Sequence, residues 1–290
     1  FGLDYFGDHP LGRPICGEVD TVSGFTRNDL VEFVADRYLP GRIIIAAAGN
    51  LSHAELVNAV AEEFGARPSR PLEDVNGAPE VGRGVFVHHR ELGQVHICLG
   101  VPALAQGDPR HYAAHVLNTL LGGGMSSRLF QEIRERRGRA YSVYSFLSAY
   151  RDAGYLGVYV GTKAEWTREV IDITADEMCK LAEGKVTGEE LERARNQLVG
   201  NTLLGLESAD SWMSHVVRSE IHYGRQVLVE EIVQGVRDVT VDVVTDLARE
   251  FLLPEAMAVT LLGDLEGHTV DFLPFGTAAS KAAARPVVNT

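Results

Sequence analysis

The chain has 290 residues, which at about 150 residues per domain points to two domains. Its 40 Asp and Glu against 27 Lys and Arg leave a formal net charge of −13, which excludes a nucleic-acid or anionic-membrane surface as the main partner. Hydrophobic residues at 45% exclude global disorder, and the three cysteines Cys16, Cys98 and Cys179 are too far apart for a zinc knuckle or a disulfide framework.

The chain opens at Phe1 with no Met and no signal-like run, so it is expected to begin inside a larger protein. Thr26 reads as an N-cap with Asp29 in the first turn, followed by Leu30, Phe33, Val34 and Tyr38 at helical spacing. Pro40 stops that helix, and Ile43-Ile44-Ile45 reads as a short buried strand ending at Gly49. That apolar run is far too short to cross a bilayer. Residues 52–64 form an amphipathic helix, and 67–84, with several Pro and Gly, read as an interdomain linker. Val85 to His89 and Gln94 to Val101 are expected as adjacent strands. A helix over 109–121 ends in Gly122-Gly123-Gly124, and a second is expected over 126–137 before Gly138. Two strands follow at 141–150 and 154–161, then helices at 166–182, 188–206 and 209–223. A last helix and strand close the pattern, Met257 to Leu262 being the strand. The Ala-rich stretch 277–290 reads as a loose tail.

One feature repeats at an offset of 214: Val22, Thr26, Leu39, Pro40, Gly49 and Leu51 match Val236, Thr240, Leu253, Pro254, Gly263 and Leu265 without a gap. Both copies read as helix, turn and buried strand, so the chain is expected to hold two versions of one domain. The second copy has a full domain ahead of it, so the first is expected to lack about 134 residues at its start. Residues 1–66 are then the C-terminal part of a truncated first domain, and 85–276 a complete second one. The fold class is α+β: duplicated domains, each an antiparallel sheet covered by helices on one face. Half a domain should leave an apolar patch open near Phe1 to Ile15, or have it filled by another chain.

Several clusters carry candidate chemistry. His111 and His115 share a helix face, but no Glu lies between them as a general base, so they read first as surface or packing residues. His88, His89 and His96 lie on adjacent strands with alternate faces; three histidines on a hairpin can bind metal, but strand histidines are more often cross-strand or surface residues. Gly122 to Gly124 precede a helix but follow another helix rather than a strand, so a phosphate loop is disfavoured and close backbone approach to a partner is the better reading. Ser142, Ser145 and Ser148 lack a triad. Arg134 reads either as a helix-end cation or, with Tyr141, as a donor pair for a carbonyl oxygen that gains charge during attack.

The stretch LLGGGMSSRLFQEIRERRGRAYSVYSF, with FGDHPLGRPICGEVDTVSGFTRNDLVEFVADRYLPGRIIIAAAGNLSH before it and GEELERARNQLVGNTLLGLES after it, resembles the pitrilysin/insulinase family of zinc metallopeptidases, the inverzincins. The likeness runs from about Phe6 to Leu265 and is nearest the branch of mitochondrial processing peptidases and their bacterial relatives. It implies two homologous domains facing each other across a chamber, often in a pair of chains. The family's zinc ligands, an inverted H-x-x-E-H and a later Glu, have no match in this sequence, so no metal ligand is expected here. Zinc would belong to the intact protein or a partner chain. The family's Arg and Tyr, seven apart, map onto Arg134 and Tyr141, implied to hydrogen-bond substrate near the scissile carbonyl. Its glycine-rich substrate loop maps onto Gly122, Gly123 and Gly124, shorter here than in the specialised recognition subunits.

The resemblance thus implies part of a zinc-dependent peptidase for small or unfolded polypeptides, inactive as this chain alone. The partners would be a peptide substrate and either the missing N-terminal segment or a second peptidase-like chain in a dimer. The alternatives are a non-catalytic partner or structural core subunit, and a peptide-binding module without chemistry. Cytoplasm is the default compartment.

Overall fold

The computed structural model describes residues 1–66, 77–265 and 267; most of the expected linker and the whole of the expected tail lie outside them. In chain order the elements are α1 (Gly2–Phe6), α2 (Val19–Gly24), α3 (Arg27–Arg37), α4 (His53–Phe64), β1 (Gly84–His89), β2 (Val95–Pro102), α5 (His111–Leu121), a π-helical turn (Phe130–Glu135), β3 (Ala140–Ala149), β4 (Gly154–Thr162), α6 (Thr167–Ala182), α7 (Gly188–Gly205), α8 (Ala209–Tyr223), α9 (Val229–Arg237), α10 (Val241–Phe251) and β5 (Ala258–Gly263). Helices α1, α2 and α9 were not expected from the sequence. No helix among the described residues is long and apolar enough to cross a membrane.

The residues divide into two compact units. The first takes in Phe1–Arg13, Ala78–Gly200 and the described residues from Glu230 onward; the second, the described residues of Pro14–Gly77 together with Asn201–Val229.

The first unit is built on a five-stranded sheet of order β1-β5-β2-β4-β3. Strands β1 and β2, expected to be adjacent, are not: β5 lies between them, parallel to β1 and antiparallel to β2. The reason is burial: nearly every β5 side chain is buried, on both faces, which a central strand satisfies and an edge strand does not. The sheet is therefore mixed, with one parallel pair. On one face Ile97 and Leu99 of β2, Val158 and Val160 of β4 and Leu261 of β5 meet the apolar stripes of α5, α6 and α10 in a single core. Helix α10 packs against both α5 and α6.

The opposite face receives the start of the chain. The Phe1 ring lies over Gly100, where a Cβ would meet it at 2.4 Å, and Tyr5 packs on Tyr155 at 5.2 Å between centroids. Asp4 Oδ2 accepts from Thr260 Oγ1 at 2.7 Å and lies 2.8 Å from His88 Nε2. Tyr5 and Phe6 are buried while Leu3 and Ile15 are exposed, so the open apolar patch expected near Phe1 to Ile15 is covered in part.

In the second unit, the first copy of the repeat matches the second in its helix. Helix α3 and α10, and the 3-10 turns Pro40–Arg42 and Pro254–Ala256, fall at the same offset of 214. Thr26 and Thr240 both cap with their hydroxyls, at nearly equal φ and ψ. Thr26 and Asp29 add a reciprocal capping box, and the Thr26 hydrogen bonds hold the Asp29 carboxyl below its ordinary range. The copies part at the strand. Residues 43–48 form no strand, and Ile44 and Ile45 are exposed where their counterparts Ala258 and Val259 are buried. The buried strand expected there is thus corrected. A strand needs neighbours for its amides and carbonyls, and no described strand lies beside 43–48 as β1 and β2 lie beside β5.

Candidate functional site

Helix α5 ends at Leu121 and the chain turns through Gly122, Gly123 and Gly124. A Cβ on Gly122 would stand 2.5 Å from the Ser145 amide nitrogen, and one on Gly123 2.7 Å from Thr119 Cα. The carbonyls are taken in turn: Gly122 O by Ser145 N at 3.0 Å, Gly123 O by Gln197 Nε2 at 3.0 Å and Gly124 O by Ser127 N at 3.1 Å. Gly122 and Gly123 therefore allow close approach to this chain's own backbone, and Gly124 to the Gln197 side chain. Ser145 Oγ donates to Asn118 O at 2.9 Å.

The expected α-helix over 126–137 is instead a π-helical turn across Phe130–Glu135, in which the Arg136 amide reaches back five residues to Gln131 O at 2.9 Å. Its root is fixed by Leu129 and Ile133, both fully buried, and by Arg128. The Arg128 guanidinium grips Glu190 with two bonds, of 2.6 and 2.8 Å, and lies 3.7 Å from Glu177. At the far end Glu132 pairs with Arg136 and Arg137, and the Arg137 hydrogen bond holds the Glu132 carboxyl below its ordinary range.

Arg134 leaves this turn, Gly138 reverses the chain at φ +61°, and Tyr141 follows on β3. The β3–β4 register shifts between Ala140 and Ser142, a bulge that falls on Tyr141 and re-aims its side chain. The two sequence-predicted residues meet: Arg134 Cζ stands 4.5 Å from the centre of the Tyr141 ring, and Nη1 donates to Tyr141 O at 3.0 Å. Arg134 Cζ also lies 4.8 Å from the centre of the Phe130 ring, a contact not expected from the sequence although Phe130 lies four residues before Arg134. Tyr141 is 76% exposed, and neither its hydroxyl nor Arg134 Nη2 has an acceptor among the described residues.

The histidines do not converge. His111 Nδ1 lies 2.9 Å from Asp108 O, His96 Nδ1 2.7 Å from Tyr159 Oη, and His88 is held by Asp4. Among the described residues no three His, Cys, Asp or Glu side chains are grouped as metal ligands, so the donor set here does not fit a catalytic zinc.

Fold and site define the class: an α+β domain with its long core helices on one sheet face, no gathered metal ligands among the described residues, and an exposed Arg–Tyr stack. A family model described as the peptidase M16 inactive domain matches residues 24–198. An uncharacterized zinc protease of Streptomyces coelicolor is 40% identical over 276 residues, covering 92% of this chain and 60% of the relative. The uncharacterized zinc protease YmxG of Bacillus subtilis is 36% identical over 257 residues, covering 89% and 62%. The solved structure of a peptidase M16 inactive domain from Pseudomonas fluorescens superposes with a TM-score of 0.82 at 23% identity, over 90% of this chain and 63% of that one. A protease from Helicobacter pylori gives 0.79 at 18%, over 90% and 65%. The chain belongs to the peptidase M16 family, and the part matched is the inactive domain. It spans about 60% of the length of the curated relatives it matches.

Proposed function

We propose that this chain supplies the substrate-facing, zinc-free side of a metallopeptidase that cleaves small or unfolded polypeptides. Zinc and its general base belong to a further domain of the intact protein or to a second peptidase-like chain, and the working assembly is a dimer. Arg134 and Tyr141 donate to the scissile carbonyl oxygen as it gains negative charge, so their bonds strengthen from ground state to transition state. Gly122, Gly123 and Gly124 border the substrate path. The observation that carries this reading is the Arg134–Tyr141 stack, which leaves one guanidinium nitrogen and the phenol hydroxyl uncommitted on an exposed ring. The family match and the relatives' description as zinc proteases support it.

Zinc content and peptide hydrolysis of the intact gene product, set beside those of the 290-residue chain, test the proposal. The intact protein should carry zinc and lose activity to a chelator, while the chain alone does neither. Stoichiometric zinc with chelator-blocked peptidase activity in the chain alone would overturn it.

A further inference from the structure

The Arg134 guanidinium lies over two aromatic rings. The Phe130 ring centre lies 4.8 Å from Cζ and the Tyr141 ring centre 4.5 Å. Two ring contacts and the bond from Nη1 to Tyr141 O together restrict how the guanidinium can turn. Phe130 is itself anchored: its ring packs partly against the core, beside the buried Leu129 and the Glu190-bound Arg128. An exposed Tyr141 could swing away from Arg134; Phe130, rooted in the core, has less freedom to do so.

We infer that Phe130 is a positioning residue, a core-anchored ring that helps to keep the Arg134 guanidinium beside Tyr141 with Nη2 uncommitted. This rests on the proposed role of Arg134 and Tyr141 toward a substrate carbonyl, and adds a third member to that pair. An aliphatic side chain at 130 would preserve burial against the core but offer no ring quadrupole to the cation. Phe130→Leu therefore separates positioning from packing, and Phe130→Tyr restores the ring.

The test uses the intact gene product, with 4-fluorophenylalanine placed at position 130 as its one fluorine label. The 19F resonance should shift when Arg134→Ala is introduced. In unlabelled protein, Phe130→Leu should lower kcat about fivefold to tenfold with KM nearly unchanged, and Phe130→Tyr should recover most of it. The double variant Phe130→Leu/Arg134→Ala should be no slower than Arg134→Ala alone. A 19F signal indifferent to Arg134→Ala, or an equal loss from Phe130→Leu whether or not Arg134 is present, would overturn the inference. Wild-type turnover in Arg134→Ala would sink the proposed function and any catalytic role for Phe130 with it. A 19F shift in that same protein would separate this case from a stack that never forms.

Discussion

At the scale of single residues, Gly138 shows how backbone freedom sets the site. It holds φ +61° with open space around the place a Cβ would take, so the demand on it is conformational and not steric. Gly138→Ala should cost about 1–2 kcal/mol, read as a fall in Tm, while Gly138→Asn should cost less because Asn tolerates the left-handed region. Equal stability of the alanine variant would mean that the turn is not needed in this form. The turn glycine and the spacing of Arg134 and Tyr141 were legible in the sequence, because a seven-residue interval with glycine inside it lets a helix end and a strand start converge. What brings the pair into contact was not legible. The π-helical turn and the bulge at Tyr141 each depend on partners distant in sequence: Glu190 and Glu177 for the first, β4 for the second.

At the scale of elements, the π-helical turn is closed at its end by Glu132 and its two arginines. The carboxyl is depressed below 4.5 in the folded protein, chiefly by the Arg137 hydrogen bond. A depressed carboxyl stabilises above its unfolded pKa and stops doing so as pH falls through the folded value. Glu132→Gln should therefore lower stability at pH 7 by about 1 kcal/mol or less, since both arginines are exposed. The gap to wild type should close as pH drops below 4.5. Thermal melts of both proteins between pH 7 and pH 3 decide it, and a gap that widens in acid would contradict the pairing. Element boundaries were otherwise largely readable where local signals exist: the Thr caps and Pro stops of α3 and α10 fall where the sequence put them. Strand neighbours were not, because pairing joins β1 to β5 across most of the unit's length, and residues 43–48 have strand composition without a strand to bind.

At the scale of the whole molecule, the repeated helix shows one apolar face in two conditions. Leu247 of α10 is buried under neighbouring elements, and its counterpart Phe33 of α3 is 57% exposed, with Leu30 and Val34 exposed beside it. Such a face is a candidate for cover by the domain or chain that the proposed function requires. Phe33→Glu should then leave the Tm of the 290-residue chain within about 0.5 kcal/mol of stability, as an exposed substitution does, and destabilise the intact assembly by several times that. Equal tolerance in both forms would mean that α3 stays in water.

The proposal turns most directly on steady-state kinetics of the zinc-loaded intact protein carrying Tyr141→Phe or Arg134→Ala. Tyr141→Phe should lower kcat by the equivalent of about 2–4 kcal/mol with little change in KM, as loss of one donor used in the transition state does. Arg134→Ala should cost more, because it also loosens the Tyr141 ring that it stacks on. Near-wild-type turnover in both variants, with zinc content unchanged, would contradict a role for this face in catalysis and leave Arg134 as a structural contact at the end of its helix.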